Sequence, residues 1–404
     1  MSIYYNSVQP LNIKTTGYSS NDMVDFNIRT RPGRAIKQGS IRFTGRLSLY
    51  LTDASGAKRG VRYNDGVFLD PYVGVHSLIR NISTQVSGST IENIQYYPRF
   101  VGMKNQSRYT QEQLDTNTLC MTELLGTQNN IMLLAENGGT LDIGGIPDVN
   151  LSQGVSFSMI PEICVNNGSD DLGNAKFGAL RVMMNLANGL EAFYTTHTPN
   201  DYYFTTDGST ISPDAFTQIS YTITSLECHW LEVIDKTTPA PVTFLSTSLI
   251  TQSLVTSNSF FNVTTAGTPY DAVALSFIQQ SHRNNLFYNN NQCEFVPGVD
   301  GNGGRVEFSV NGNDRPIAFP ILSYQELSLN YWKALGGVMK NSIMNAFQYR
   351  NNTFGVGCSF STSVNDRLGV SVQVDPTDPY YITEGSLAAN PYDAYIYILG
   401  FVSV

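Results

Sequence analysis

Hydrophobic and polar residues alternate along many short stretches of this chain. Val24, Phe26 and Ile28 alternate with polar residues. Ile41–Leu51 repeats the pattern, with Gly45 in the apolar phase. A period of two puts every second side chain on one face of a β-strand, so each stretch predicts a strand with one buried face. The further strands predicted in the first half are Gly66–Leu69, Ser77–Gln85, Thr90–Tyr97, Gly154–Ile160 and Phe177–Leu186.

Two longer stretches, rich in β-branched and aromatic residues, close the two halves of the chain. Ile219–Val233 (ISYTITSLECHWLEV) ends the first half and Ala394–Val404 (AYIYILGFVSV) ends the second. The alternation slips near Ser225 and Leu226, which predicts a bulge or a change of sheet there. The other strands predicted in the second half are Val242–Val255, Ser259–Thr264, Asp271–Gln279, Arg305–Val310, Phe354–Ser361 and Gly369–Val374.

Long helical patterns are few, and Pro-, Gly- and Asn-rich breaks separate the strands. This pattern predicts an all-β fold, with an antiparallel sandwich or barrel in each half rather than βαβ units. The two predicted helices are Gln106–Leu119 and Ser323–Tyr349, the second interrupted at Gly336 and Gly337. The predicted domains are an N-terminal arm over 1–22, a first β-domain over 23–235, a Pro-containing linker over 236–241 and a second β-domain over 242–404.

The surface of this protein carries unusually few charges. Charged residues make up 14% of the chain, against about 25% in an average soluble domain. An uncharged polar surface suits permanent burial against partner proteins, because few ions have to be desolvated. The net charge of −9 argues against nucleic-acid binding over the whole surface.

One segment departs from this acidic balance. Between Arg29 and Arg62 the only acidic residue is Asp53. The basic residues of the segment are Arg29, Arg31, Arg34, Lys37, Arg42, Arg46, Lys58, Arg59 and Arg62. They predict either a locally basic face or simply the solvent-facing side of two strands.

Residues that could carry chemistry form no recognisable constellation. The five cysteines are scattered without a CxxC pair, and the four histidines lack metal-ligand spacing. No nucleophile elbow, P-loop or dinucleotide-binding motif is present. The acids Glu162, Glu191, Glu227 and Glu232 offer no selected pair for glycoside hydrolysis. We therefore predict no catalytic residue, no metal site, no cofactor and no enzymatic activity.

The layout of the chain resembles that of double jelly-roll major capsid proteins of tailless icosahedral DNA viruses, including membrane-containing phages, virophages and polinton-like viruses. The segments that carry this resemblance are Asp70–Arg80 (DPYVGVHSLIR), Ile91–Phe100 (IENIQYYPRF), the Ile219–Val233 strand before its linker, and the tyrosine-rich Ala394–Val404 strand. The resemblance covers nearly the whole chain and rests on layout rather than on a short motif.

This resemblance implies two tandem eight-stranded antiparallel jelly rolls with short helical insertions. It also implies a structural protein of the virion capsid, assembled inside the host cell as a pseudo-hexagonal homotrimeric capsomer. The implied partners are neighbouring capsomers, penton or minor capsid proteins, and an internal membrane or genome at the inner face. Arg29, Arg31, Arg34 and Lys37 are the candidates for a basic patch on that inner face.

Three other functions are alternatives. A minor or vertex capsid protein is the closest of them, although such proteins often carry a single jelly roll. A carbohydrate-binding protein, lectin-like or receptor-binding, could stack sugars on Tyr96, Tyr97, Tyr202 or Tyr203, although strand tyrosines more often pack inside. A β-sandwich glycoside hydrolase is the enzyme alternative. Solution mass separates these functions, because the capsid hypothesis predicts a trimer of 44.5 kDa chains.

Overall fold

The computed structural model describes a chain that divides into two compact units. The described residues are 3–53, 56–61, 67–70, 72–108, 154–167, 171–173, 178–195, 203–204, 210–211, 216–235, 243–254, 258–264, 270–294, 305–311, 313–314, 324–335, 355–359, 367–373 and 391–403. Unit 1 contains Met1–Pro98, Gln113–Val242 and Asn284–Asn291. Unit 2 contains Arg99–Glu112, Thr243–Arg283 and Gln292–Val404. Each unit therefore includes a segment from the opposite half of the sequence.

Unit 1 is built from antiparallel strands. They are β1 (Tyr4–Val8), β2 (Met23–Ile28), β3 (Arg34–Ile36), β4 (Arg42–Asp53), β5 (Lys58–Gly60), β6 (Val67–Phe68), β7 (Ile79–Val86), β8 (Ser89–Gln95), β9 (Val155–Met159), β10 (Leu172–Gly173), β11 (Leu180–Leu186), β12 (Tyr194–Thr195), β13 (Tyr203–Phe204), β14 (Thr210–Ile211) and β15 (Phe216–Ile234). A seven-stranded sheet contains β1, β3, β4, β5, β9, β10 and β15, and a four-stranded sheet has the order β2-β11-β7-β8. The pairs β12–β6 and β13–β14 are separate small ribbons.

The closing strand β15 organises the larger sheet. Glu232 pairs with Tyr4 of β1 on one side and with Ile36 of β3 on the other. Further along, β15 pairs with the whole length of β4, so β3 and β4 lie on one side and β1 on the other. The register shifts between Thr224 and Glu227, and Ser225 has φ of 50°. The bulge predicted near Ser225 is therefore confirmed.

The apolar phase of the alternating stretches forms the core of unit 1. Val24, Phe26 and Ile28 of β2 are buried, and the ring of Phe26 stacks on that of Phe43 in β4, with centroids 5.1 Å apart. The side chains of Leu47 and Leu49 continue this buried face along β4. Burial of large apolar side chains from both sheets is the main favourable contribution to the folding free energy here.

Unit 2 contains two four-stranded antiparallel sheets. Its strands are β16 (Thr243–Leu254), β17 (Asn258–Thr264), β18 (Tyr270–Gln279), β19 (Arg305–Val310), β20 (Asn313–Asp314), β21 (Val356–Ser359), β22 (Arg367–Gln373) and β23 (Tyr392–Ser403). One sheet has the order β16-β23-β18-β21 and the other β17-β22-β19-β20. The tyrosine-rich closing strand β23 lies between β16 and β18, and its residues Tyr392–Leu399 are buried.

Three α-helices lie among the described residues: α1 (Tyr97–Arg108), α2 (Gly189–Ala192) and α3 (Tyr324–Ala334). The helix predicted to begin at Gln106 begins at Tyr97 instead, because Pro98 is well suited to the first turn of a helix. The rest of that prediction, from 109 on, lies outside the described residues. Helix α3 falls within the predicted range Ser323–Tyr349, and Tyr331 on it and Leu335 directly after it are buried. No helix of the described residues is long and apolar enough to cross a membrane.

The segments that each unit takes from the opposite half of the sequence, here called the exchanged segments, are fixed to their units by side-chain contacts. In unit 2, Arg99 is only 4% exposed, donates to the Ser276 hydroxyl and the Gln292 carbonyl, and places its guanidinium 4.7 Å from the Tyr395 ring centroid. In unit 1, the side-chain amide of Asn289 donates to the buried Asp70 at 2.7 Å. Both segments are thus held by specific polar contacts.

Candidate functional site

The four basic residues predicted as a patch lie where β2 ends and β3 begins. Arg29 follows β2, Arg31 lies in the connecting turn, Arg34 opens β3 and Lys37 follows it. We call the surface formed by these four residues, together with Ile3, Tyr4 and the end of β15 (Glu232–Asp235), the basic end of unit 1. Arg29, Arg31 and Lys37 are exposed, and Arg34 is half-buried.

Arg31 is fixed by a carboxylate in the closing strand. Its Nε donates to Glu232 at 2.9 Å, and its backbone N–H donates to the same carboxylate at 3.3 Å. Glu232 is 1% exposed, and a buried carboxylate needs a cation or several donors. The sequence alone offers Glu232 only as one of four acids with no selected pair for catalysis. Its position in the buried phase of a strand was the signal that it needs a cationic partner.

Tyr4 of the N-terminal strand has two guanidinium groups close to its ring. The Cζ atoms of Arg31 and Arg34 are 4.7 and 4.3 Å from the centroid of its ring. Two cations near one aromatic face are attracted by the ring quadrupole, which offsets part of their mutual repulsion. The arm predicted over residues 1–22 therefore contributes an aromatic group to the basic end.

Other residues of the basic run have other partners: the guanidinium of Arg59 donates to the Gly60 carbonyl at 3.0 Å, and Arg62 lies outside the described residues. Arg42 and Arg46 lie on β4 and donate to the Ser158 hydroxyl and the Gly154 carbonyl of the β9 region. Lys58 is near the far end of β4, where its ammonium lies 4.2 Å from the centroid of the Tyr50 ring. Lys58 and the basic end lie at opposite ends of β4, whose twelve residues span about 35–40 Å. Of the basic run, the basic end therefore includes Arg29, Arg31, Arg34 and Lys37.

A histidine anchors the N-terminal strand to β15. The hydroxyl of Tyr5 lies 2.5 Å from Nδ1 of His229, the two rings stack, and the Thr44 hydroxyl lies 2.7 Å from Nε2. Burial lowers the pKa of His229, the carboxylate of Glu227 opposes this shift, and Arg42 adds to it. The ring is therefore neutral at pH 7 and joins β1, β15 and β4.

The other histidines of the described chain have separate local partners. His76 forms a hydrogen bond with the buried Tyr97 hydroxyl at 3.0 Å, and His282 lies 2.7 Å from Glu294. No group of three His, Cys, Asp or Glu residues is placed to hold a metal ion within the described residues. Burial raises the pKa of the Cys164 and Cys228 thiols, which disfavours the nucleophilic thiolate.

Of the tyrosines suggested for sugar stacking, the two whose side chains are described, Tyr96 and Tyr97, do not form an exposed platform. Tyr97 is fully buried, and its hydroxyl accepts the backbone N–H of Glu162 at 2.7 Å. Tyr96 is half-buried, with the Arg80 guanidinium 5.4 Å from its ring centroid. Tyr202 and the side chain of Tyr203 lie outside the described residues. Tyr97 was therefore wrong as a sugar-binding candidate, because it packs in the core.

Comparisons with known proteins identify the fold. No family model and no curated protein matches the chain. Among solved structures, the Faustovirus major capsid protein is 8% identical with a TM-score of 0.57, over 100% of this chain and 90% of that one. A chain of the Sputnik virophage is 11% identical with a TM-score of 0.56, and the match covers 100% of this chain and 86% of that one. The mavirus major capsid protein is 10% identical with a TM-score of 0.51, and the match covers 99% of this chain and 90% of that one.

These similarities define an all-β protein of two tandem antiparallel jelly rolls. The fold is the double jelly roll of the major capsid proteins named above, which confirms the fold class predicted from the strand pattern.

Proposed function

We propose that this chain is a major capsid protein that forms pseudo-hexagonal homotrimeric capsomers of an icosahedral DNA-virus shell. Its place is the virion, after assembly inside the host cell, and its role is structural rather than enzymatic. The proposal rests mainly on full-length coverage: the double jelly roll accounts for 100% of this chain and for 90% of the Faustovirus capsid protein chain.

The composition supports a protein whose surface is largely buried against other copies of the same chain. With only 14% charged residues, large parts of the surface can be buried against other chains at little cost in ion desolvation. The proposed contacts are with the other two subunits of the trimer, with neighbouring capsomers, and with penton or minor capsid proteins. The exposed side chains of Leu11, Ile13 and Met23 in the N-terminal region are candidates for such contacts.

We place the basic end of unit 1 at the inner face of the shell, toward an internal membrane or the genome. Arg29 and Lys37 are exposed and form no ion pair within the described chain, so their charges are available to an anionic partner. Charge reversal at these two residues should leave trimers intact and impair particle formation. Arg31 is a poor choice for this test, because reversing it would also strand the buried Glu232.

The oligomeric state tests the main proposal. Light scattering on the purified full chain should give three times 44.5 kDa, and electron micrographs should show hexagonal outlines. A stable monomer at micromolar concentration that is retained on saccharide resins would contradict the capsid role and favour the carbohydrate-binding alternative.

A further inference from the structure

The four-stranded sheet of unit 1 has one face in the core and one face turned away from it. On β2, β7, β8 and β11 the apolar phase of the alternation is buried. The residues of the opposite phase pair across the strands in three rows. The first row contains Met23, Asn185, Asn81 and Gln95, the second Asp25, Met183, Ser83 and Asn93, and the third Asn27, Arg181, Gln85 and Thr90. We call this surface the carboxamide face, because half of its residues are Asn or Gln.

The carboxamide face carries no net charge. Its ionisable residues are Asp25 and Arg181, and the guanidinium Nε of Arg181 donates to both oxygens of Asp25, at 2.9 and 3.1 Å. Glu92 of β8 belongs to the buried phase. The charged residues at the margins are the pairs Lys14–Asp22 and Arg80–Glu191, and Arg29, which follows β2. Two copies of this face can therefore approach each other with little charge repulsion.

The amide groups of this face can bind a partner. Asn93, Gln95 and Asn185 are exposed, and their side chains form no hydrogen bond within the part of the chain that the structure describes. Each carboxamide offers two donor hydrogens and an oxygen with two lone pairs. Such a surface is complementary to a copy of itself, because a carboxamide that faces another can both donate and accept.

Exposed apolar side chains border the face along its β2 edge. The backbone N–H of Leu11 donates to the Asp25 carbonyl at 2.7 Å, so the N-terminal arm continues the sheet beyond β2. Leu11 is 60% exposed, Ile13 is 64% exposed and Met23 is 50% exposed. Burial of these side chains against a partner would add a hydrophobic contribution to the hydrogen bonds of the amides.

We propose that the carboxamide face of unit 1 binds the same face of a second copy of this chain in a twofold contact. In a twofold contact the same patch is used on both molecules, which a neutral, self-complementary surface allows. A homotrimer joins different patches around a threefold axis, so this contact would join one trimer to another. That last step rests on the proposed function, but the contact between two faces does not.

The size of the face indicates how strong this contact is. With strands about 4.8 Å apart and outward residues about 6.8 Å apart along each strand, the face and its side chains cover about 400 Å². Two copies would bury about 800 Å² in total, against about 1,600 Å² in a standard stable complex. The contact is therefore weak between two free molecules and becomes firm where many copies repeat it.

Other classes of partner fit this face less well. A nucleic acid or an anionic membrane is bound through cations, and Arg181 is already neutralised by Asp25. None of the residues of the face is aromatic, so a sugar finds no ring on which to stack. A second copy is the partner that uses the unbonded amides, the absence of net charge and the apolar edge together.

The test is a charge swap on the purified full chain, followed by sedimentation velocity at increasing protein concentration. Asn93→Lys with Asn185→Lys places cations on both copies, so association beyond the basic unit should weaken about 10-fold or more. Asn93→Asp with Asn185→Asp should weaken it similarly. An equal mixture of the two variants should associate at least as tightly as the wild type, because opposite charges then face each other.

The matched control is Ser7→Lys with Gln218→Lys, which adds two cations at exposed positions of the larger sheet and should associate like the wild type. The proposal would be overturned by undiminished association of the Asn93→Lys variant, by a mixture that shows no recovery, or by equal weakening in the control. Absence of any association in the wild type at the highest attainable concentration would overturn it as well.

The mass of the dilute protein separates this proposal from the capsomer. A trimer whose further association ignores the introduced charges would refute only the twofold contact. A monomer that dimerises and follows the charge swap would refute only the capsomer.

Discussion

Gly45 in β4 faces the ring of Phe157 in β9 so closely that a Cβ atom on Gly45 would lie 2.9 Å from the ring Cζ. The same atom would lie 3.2 Å from Ile223 Cγ2. Alanine normally stabilises a strand relative to glycine. We predict the opposite here: Gly45→Ala should lower the free energy of unfolding by about 1–3 kcal/mol, because the core is overpacked.

Chemical denaturation measures this change, and a second substitution tests its cause. Adding Phe157→Leu to Gly45→Ala removes the clashing ring edge, so the double variant should recover part of the lost stability. If the two changes are simply additive, the close approach is not the reason for the glycine.

The second prediction concerns the buried Arg99. Arg99→Ala should destabilise unit 2 by roughly 2–4 kcal/mol, because it leaves the Gln292 carbonyl without its donor and opens a cavity beside Tyr395. Arg99→Met fills more of this space, so it should destabilise unit 2 by less than Arg99→Ala does. Hydrogen exchange should rise in β18 and β23 rather than in β7 and β8.

Arg80→Ala is the matched control, because Arg80 is more exposed and contacts a ring, that of Tyr96, in unit 1. Arg80→Ala should lower the free energy of unfolding by less than about 1 kcal/mol. Equal exchange increases in both units for Arg99→Ala would show that Arg99 acts on global stability alone.

The third prediction concerns Asn290, which lies in the second half of the sequence but in unit 1. Its side-chain amide donates to the Leu190 carbonyl at 3.0 Å, and its oxygen accepts the Asn284 N–H at 3.0 Å. Asn290→Ala should lower the free energy of unfolding by about 1–3 kcal/mol and increase amide hydrogen exchange in α2. The exposed Asn185 on β11 gives the control variant Asn185→Ala, for which no measurable change is expected.

The fourth prediction is that acid loosens the N-terminal strand. Because the folded pKa of His229 lies below its usual value of 6.5, the unfolded chain binds a proton at a higher pH than the folded chain. Stability is therefore fully present above pH 6.5 and is lost as the pH falls from there toward the folded pKa. Amide exchange in β1, corrected for intrinsic rates, should increase between pH 7.5 and pH 5.5.

His229→Gln keeps hydrogen-bonding groups at this position but cannot titrate, so it should remove most of this pH dependence. Persistence of the full acid effect in that variant would show that protonation of His229 is not its cause.

The strands were predictable because period-two alternation is a local property of the sequence. Even the bulge at Ser225 appears as a slip in that pattern. The pairing of Arg31 with Glu232 was not predictable, because the two are 201 residues apart and no local signal specifies a partner. Tyr97 looked like an exposed strand residue, but Pro98 begins a helix there and turns the tyrosine ring into the core. The exchanged segments around Arg99 and Asn290 were missed for the same reason, since each is specified only by distant contacts.

The composition of unit 1 has a consequence for synthesis on the ribosome. Its closing strand ends at Ile234, yet the unit also contains Asn284–Asn291. The first jelly roll therefore cannot complete its native contacts when its last strand emerges, but only after part of the second has been translated. A nascent chain that stalls between these two points would expose the binding site for Asn289 and Asn290 to chaperones.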